Sequence, residues 1–293
     1  MNPKQIRSIV TVHQLGSIAK AAQQLHLAPS SISQQIKEVS QELGVDLFEA
    51  QGRGMVLTDV GHQLLERFQQ FLILSKDIKL QAQTSHGQLK GAITLFAPSS
   101  MCIYRLPPLI EALQARAPEI ELVLIHEPFD YEAALNSREI DAAITVSQYP
   151  DSKWLSHKLC DEPIIYVCHP ETHLNEALSV EALQKKALIT TEPNCTYRLA
   201  AENHFHAEHF SLHPKQTFSN VEVIKRCLFS NMGIGLLPEC VVQEELDKGR
   251  LKHQTVIGTP YPFQSYLLIS KSRPMTPKLQ ALIDAIQSLS MNL

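Results

Sequence analysis

The chain has 293 residues, 44% of them hydrophobic, and a formal net charge of −4, which fits a soluble globular protein with a well-buried core and about two domains. No apolar run approaches the ~20 residues a bilayer span needs, and the N-terminal stretch MNPKQIRSIVTV lacks the apolar core and small-residue cleavage site of a secretory signal, so a cytoplasmic address is expected. Six cysteines, at 102, 160, 168, 195, 227 and 240, form no CxxC pair, which argues against a disulfide framework or a zinc ribbon and for reduced thiols, most of them in the core.

The first helix is expected to start at Pro3, with Ile6, Ile9, Val10 and Val12 on one stripe, and to end at Gly16. Ser17 then caps a short second helix whose inner face is Ile18, Ala21, Ala22 and Leu25. The small alanines let a neighbouring helix approach closely. After the turn HLAP, Ser30 is expected to cap a third helix with a buried stripe of Ile32, Ile36, Val39 and Leu43. Its opposite side carries Ser30, Gln34, Lys37 and Gln41, flanked by Ser33.

Two short helices joined by a tight turn, the second presenting small polar side chains, suit entry into a DNA major groove. Glutamine pairs with an adenine edge, serine with base or phosphate, and lysine with phosphate. The segment LFEAQGRGMVLTDVG reads as a two-stranded wing around Gln51, Gly52, Arg53 and Gly54, with Arg53 placed to reach backbone or minor groove. The candidate DNA-binding residues are Ser17, Ala28, Pro29, Ser30, Ser31, Ser33, Gln34, Gln35, Lys37, Gln51 and Arg53.

The segment GSIAKAAQQLHLAPSSISQQIKEVSQELGVDLFEAQGRGMVLTDVGHQLL resembles the winged helix-turn-helix of LysR-type transcriptional regulators, with helix, turn, wing and the following LT-x-x-G in register. It departs from the family at Gln34, where arginine is usual, and at Ala50 and Val56, where further basic residues are usual. Lys4, Arg7, Lys20, Lys37 and Arg53 are opposed by Glu38, Glu42, Asp46 and Glu49, so DNA affinity must rest on a few placed contacts and on dimeric binding. The resemblance implies double-stranded promoter DNA and a small-molecule effector as partners, and a homo-oligomer built as a dimer of dimers.

From Asp59 to about His86 there is no proline, and Leu64, Phe68, Phe71, Ser75, Ile78 and Ala82 repeat at spacings of four and three. This heptad seam predicts a dimerising linker helix, broadened by Leu65 and Leu72. Ser85 to Gly91 follows as a hinge. A helix packed only on its own domain is the plainer alternative for this stretch.

Beyond Gly91, short apolar strands alternate with helices, the rhythm of a parallel α/β sheet. AITLFA, LPPLIEALQAR, IELVLIH, DYEAALNS and DAAITV form one such unit; PIIYVCHP, ALITT, TYRLAAENHF, VEVIKRCLF and GIGLLP form a second; YLLIS and the last helix, TPKLQALIDAIQSL, return to the first. Two lobes joined by crossing strands leave a cleft where a small ligand binds. The resemblance implies the same two-lobed, periplasmic-binding-protein-like effector domain. The expected fold is therefore α/β with an N-terminal all-α winged helix-turn-helix and a long linker helix. The expected domains are 1–58 for DNA binding, 59–90 for linker and hinge, and 91–293 for regulation, with lobe I at 91–162 and 266–293 and lobe II at 163–265.

Ligands in open α/β sheets bind beyond the carboxyl ends of strands. That places Ser99, Ser100, Met101, Cys102, Thr145, Ser147, Cys195, Thr196, Tyr197, Asn220 and Val221 around the cleft. Helix amides and hydroxyls there favour an anionic group. Cys195 matches the reactive cysteine of peroxide-sensing members, and Arg198 beside it could lower a thiol pKa, so a thiol-based oxidant sensor is the alternative reading. The stretch NHFHAEHF supplies no resolving cysteine. A third reading is a small-molecule binding protein that does not bind DNA. His206, His209 and His213 would share one face of a helix, but an exposed helix end with incidental histidines is the better reading, and no metal site or cofactor is expected. With no GxSxG, phosphate loop or HExxH, no catalytic residue and no enzyme is expected.

Overall fold

A computed structural model of the chain describes residues 1–52, 54–84, 89–127 and 130–290, and divides it into two compact units, Met1–Gln88 and Leu89–Leu293.

In the first unit, α1 (Pro3–Leu15) starts at a capping box: Asn2 accepts from the Lys4 and Gln5 amides, and the Gln5 side chain accepts from the Asn2 amide. It ends at Gly16, whose φ of 61° closes the turn. Ser17 caps α2 (Ile18–Leu25), accepting from the Lys20 amide at 3.4 Å. The third helix, α3 (Pro29–Leu43), begins earlier than expected, with Ala28 as N-cap and no side-chain cap. Pro29 supplies the helical φ and lacks the amide a cap would satisfy, so Ser30 lies inside the first turn and is not the cap. Ile32, Ile36 and Val39 are buried, but Leu43 is 39% exposed because it is the last residue before Gly44 turns the chain away.

The wing is an antiparallel hairpin of β1 (Phe48–Gln51) and β2 (Gly54–Leu57), with Gln51 opposite Gly54; Arg53 lies outside the described residues. The helix α4 (Asp59–Thr84) follows Thr58, whose Oγ1 donates to the Asp46 carbonyl at 2.7 Å and accepts from the Gly61 amide at 3.1 Å. That hydroxyl and that glycine are the physical content of the LT-x-x-G pattern.

Ile6, Ile9, Val12, Ala21, Ile32, Val39 and Leu47 are wholly buried in this unit's core, each large aliphatic side chain contributing about 1.5–3 kcal/mol. Phe68 is buried in the same core, with Leu64, Leu65, Phe71 and Leu72 packed against it. The first half of the heptad is therefore engaged within its own unit, because α4 folds against α1. The exposed apolar stripe lies further on, at Leu74 and Ile78, which are 58% and 60% exposed. Of the expected hinge, 85–88 lie outside the described residues, and Gly91 is already within the next strand.

The second unit opens with β3 (Lys90–Phe96), α5 (Ser99–Tyr104), α6 (Leu106–Arg116), β4 (Glu119–Ile125), α7 (Tyr131–Asn136), β5 (Ala142–Ser147) and β6 (Leu155–Asp161). The chain then crosses to β7 (Ile164–Cys168), α8 (Val180–Gln184), β8 (Leu188–Thr191), α9 (Thr196–Ala207), β9 (Gln216–Phe218), α10 (Val221–Phe229), β10 (Ile234–Pro238), α11 (Glu239–Asp247) and β11 (Lys252–His253). It returns through β12 (Gln264–Ile269) and ends in α12 (Pro277–Ser290).

One lobe holds the sheet β4-β3-β5-β12-β6, the other β11-β7-β10-β8-β9. Neither is purely parallel: β12 runs antiparallel to β5 and β6, and β7 antiparallel to β10. The departure has a topological cause, since the chain crosses between lobes at β6–β7 and β11–β12 without the helical crossover that keeps successive strands parallel. The two passages pair with each other, Glu162 and Ile164 donating to the Phe263 and Tyr261 carbonyls at 2.8 and 3.1 Å. Beside them the fully buried Glu162 carboxylate accepts from Arg105 Nε at 2.7 Å. No helix among the described residues is long and apolar enough to cross a membrane.

Candidate functional site

Two surfaces carry the polar groups that the sequence singles out. On the first unit, Ser30, Ser33, Gln34 and Lys37 are all exposed along one side of α3, with Ala28 and Pro29 exposed at its entry and Gln51 exposed on the wing. A groove of about 620 Å3 runs between this side and the hairpin, lined by Ser33, Lys37, Gln41, Phe48 and Met55. Gln34 Nε2 donates to Glu38 Oε1 at 2.9 Å and Gln5 Nε2 to Glu38 Oε2 at 2.8 Å. These bonds hold the Glu38 carboxyl below the usual range, and the one to Gln34 must break before that amide can pair with a base. Ser33 Oγ donates to the Pro29 carbonyl at 3.1 Å.

Gln35 does not belong with this set. Its Oε1 accepts from the buried Ser8 hydroxyl at 2.6 Å, so it braces α1 against α3. Ser31 is half-buried, and Ser17 is occupied as the cap of α2.

In the second unit a cavity of about 750 Å3 opens between the two lobes. Seven of the expected residues line it: Ser99 and Ser100 from α5, Cys195, Thr196 and Tyr197 at the start of α9, and Asn220 and Val221 at the start of α10. Ser100 and Tyr197 are both buried, and burial pushes the Tyr197 hydroxyl pKa up. No side chain caps α9, whereas Asn220 caps α10 by accepting from the Glu222 amide at 2.8 Å.

Four expected residues do not line the cavity. Thr145 and Ser147 flank Val146, which does line it, and strand alternation turns both away; the Ser147 hydroxyl donates to the Tyr149 carbonyl at 2.7 Å. Met101 is wholly buried in the core, and Cys102 packs against that core with its Sγ 3.4 Å from the Ala97 carbonyl. Both lie on the inner side of a one-and-a-half-turn helix whose first residues alone reach the cavity.

The cavity also takes His126 and Glu127 after β4, and Glu192, Pro193 and Asn194 after β8. The signal for them was the rule already applied elsewhere: they directly follow the carboxyl ends of strands. Glu192 Oε2 is buried without a hydrogen-bond partner.

Arg198 does not turn to Cys195: its Nε meets Glu202 at 2.7 Å and its Nη1 the Thr191 carbonyl at 3.3 Å. The helix carrying His206 ends at Ala207, and His209 adopts a φ of 63°, so the face that His206, His209 and His213 would share on a continuous helix does not form. No group of residues that could hold a metal ion occurs among the described residues.

Comparison with known proteins accounts for both halves. Residues 3–62 match the bacterial regulatory helix-turn-helix protein, lysR family, and residues 86–290, more than half the chain, match the LysR substrate binding domain. The uncharacterized HTH-type transcriptional regulator YwqM of Bacillus subtilis is 27% identical over 97% of this chain and 98% of its own. The RuBisCO operon transcriptional regulator of Acidithiobacillus ferrooxidans is 25% identical over 98% of this chain and 93% of its own. Among solved structures, a full-length OxyR variant from Pseudomonas aeruginosa superposes with a TM-score of 0.68 at 24% identity, covering 98% of this chain and 95% of that one. CbnR complexed with its target DNA gives 0.63 at 16% identity, covering 99% of this chain and all of that one. The chain belongs to the LysR family of bacterial transcriptional regulators.

Proposed function

We propose that this regulator reads promoter DNA with the exposed side of α3 and the β1–β2 wing, and that a small effector with an anionic group, bound in the cavity between the lobes, sets how it does so. The chain is a DNA-binding transcriptional regulator with an effector-binding half, and not an enzyme. In this reading 1–58 form the reading head, 59–90 the linker and 91–293 the sensor, and the protein works in the cytoplasm as a dimer of dimers.

The observation that carries the effector half is the uncapped amino end of α9 at the cavity wall. The first-turn amides of a helix have no partner inside the helix, and the helix dipole adds positive potential to them. Such an end attracts a carboxylate or phosphate, and the Thr196 hydroxyl beside it and the Ser100 side chain across the cleft supply further hydrogen bonds. For the DNA half, CbnR, which shares this fold, is described in complex with its target DNA.

The experiment is a pair of substitutions read by operator binding with and without candidate metabolites. Thr196→Trp fills the cavity mouth from an exposed position and should abolish the effector response while preserving basal DNA binding. Gln34→Ala should weaken discrimination between operator variants by about 1–3 kcal/mol. Undiminished effector affinity in the first variant, or equal losses on specific and random DNA in the second, would overturn the corresponding half. Cys195→Ser should retain the effector response, which an oxidant sensor would lose.

A further inference from the structure

The geometry points to Glu38 as a second base-reading group of α3, with Gln5 as the residue that positions it. Its carboxylate selects a base that carries an amino group in the major groove, adenine or cytosine, against guanine and thymine. The inference rests on the exposed side of α3 being the face that enters the groove.

Glu38 is exposed on α3, four residues after Gln34. Side chains on a helix lean toward its amino end, so the carboxylate lies over the turn that begins at Gln34. The 2.9 Å bond from Gln34 Nε2 to Glu38 Oε1 fixes it there. Successive base pairs lie about 3.4 Å apart along the duplex. When Gln34 occupies the edge of one base, a carboxylate oxygen one hydrogen bond away meets the edge of the next.

The orientation is set from a second helix. Gln5 Nε2 donates to Glu38 Oε2 at 2.8 Å. Gln5 is itself held, because its Oε1 accepts from the Asn2 amide at 2.8 Å in the capping box that starts α1. One amide on each oxygen thus pins the carboxylate between α1 and α3, and both amides favour its charged form. Among the described residues no lysine or arginine side chain bridges to it. Such a charge on a DNA-facing surface lowers affinity for every sequence through repulsion by phosphates. Only a base that donates to it turns the charge to advantage.

A carboxylate accepts hydrogen bonds and donates none, with room for about four. The Gln34 and Gln5 amides fill two places, and the first is vacated when Gln34 turns to a base. In the major groove adenine N6 and cytosine N4 are donors, whereas guanine N7 and O6 and thymine O4 are all acceptors. An amino group takes the vacated place through a charge-assisted bond. Guanine or thymine there sets an acceptor against the carboxylate and is rejected.

The test uses the full-length protein and a double-stranded DNA library of randomised sequence, from which bound molecules are recovered and sequenced. The selected site and its single-base variants are then titrated. Glu38→Ala should erase, at one position of each half-site, a preference of at least fivefold for adenine or cytosine over guanine and thymine. It should spare the neighbouring preference that Gln34→Ala removes. Glu38→Gln, whose amide also donates, should relax the same position, and Gln5→Ala should weaken the preference at that position and at no other. Thermal melting of the Glu38 variants should match wild type. Higher affinity of Glu38→Ala for every sequence, with all base preferences kept, would make the carboxylate a bystander charge and overturn the inference. An unchanged preference in Gln5→Ala would overturn the positioning role. If Gln34→Ala alters a preference and Glu38→Ala does not, only the Glu38 assignment falls. If neither alters any, the reading of DNA by this side of α3 falls with it.

Discussion

Gly61→Ala tests how the linker helix is joined to the reading head, because two opposing effects of known size meet at that residue. A Cβ built there lies 2.4 Å from the Leu47 carbonyl oxygen, 3.0 Å from Leu57 Cδ2 and 3.1 Å from Leu57 Cβ. Replacing glycine by alanine inside a helix ordinarily gains up to about 1 kcal/mol. Against this, the Leu47 oxygen is fixed: it accepts from the Thr58 amide at 3.1 Å, and the Leu47 side chain is wholly buried. Overpacking a well-filled site costs about 1–3 kcal/mol, and disturbing that hydrogen bond adds about 0.5–1.5 kcal/mol. The net effect is a destabilisation of about 1–3 kcal/mol, which at roughly 4–8 °C per kcal/mol for a unit of this size lowers its melting temperature by about 5–20 °C. Calorimetry of the full-length protein gives the shift, and hydrogen exchange on peptides from residues 45–72 assigns it to this unit. An unchanged or raised melting temperature would mean that the Leu47 carbonyl yields freely and that the close approach does not constrain the joint.

The exposed stripe on α4 should be the dimer contact: Leu74→Glu with Ile78→Glu removes four apolar side chains from a homodimer, each 58–60% exposed in the protomer, so about 4–7 kcal/mol of burial is lost at about 1.5–3 kcal/mol per fully buried side chain, raising the dimer dissociation constant by about three to five decades without unfolding the unit. Unchanged sedimentation would refute it. Phe68→Glu, by contrast, should unfold the reading head itself, since Phe68 is only 4% exposed within one protomer. Burial and the neighbouring Glu162 push the Cys160 thiol up to about 11 and the Cys240 thiol up to about 12, and burial pushes Cys168 up to about 11. All three should therefore resist iodoacetamide at pH 8 in the native protein and label faster as pH rises toward 11, by peptide mass spectrometry. Labelling at the denatured rate at pH 8 would refute that protection.

The reading head was legible because its signals are local. Asn2, Pro3, Gly16 and Ser17 set the ends of α1 and the start of α2 through bonds within a few residues, and the period of Ile32, Ile36 and Val39 names the buried side of α3. What was missed depended on partners distant in sequence. Gln35 looks like its neighbour Gln34, and only Ser8, 27 positions away, turns it inward. Phe68 looks like a coiled-coil position until α4 lies on the core of its own unit. In the second unit the strands alternated as expected, but their directions were set by where the chain crosses between lobes, which no local pattern encodes. The cavity residues followed the strand-end rule where the chain continued directly into a helix. That rule was not carried to β4 and β8, where the acidic residues Glu127 and Glu192 lie.

The same two helices that present groups to the cavity also tie the lobes together a turn further on. Ser99 and Ser100 begin α5, and Tyr104 ends it; Asn220 and Val221 stand at the start of α10, and Glu222 and Lys225 follow within its first turns. The Tyr104 hydroxyl donates to Glu222 and accepts from Lys225 Nζ at 2.6 Å, with burial and Glu222 holding its pKa up. Any rotation of one lobe against the other must carry or break that contact. If it breaks, Lys225 keeps Glu222 at 3.1 Å and Glu245 at 3.8 Å, so its buried ammonium is not stranded. The loss is then that of two hydrogen bonds to charged groups, about 3–6 kcal/mol, and not the penalty of an unpaired buried charge. A ligand that bridges Ser100 and Thr196 acts across the same pair of lobes, but the ~1–3 kcal/mol by which effectors usually shift such equilibria is worth one of those bonds and not both. A lobe rotation driven by a small molecule in the cavity therefore carries at least one of the two Tyr104 bonds with it, and only a movement that keeps Tyr104 on Glu222 or on Lys225 lies within an effector's reach.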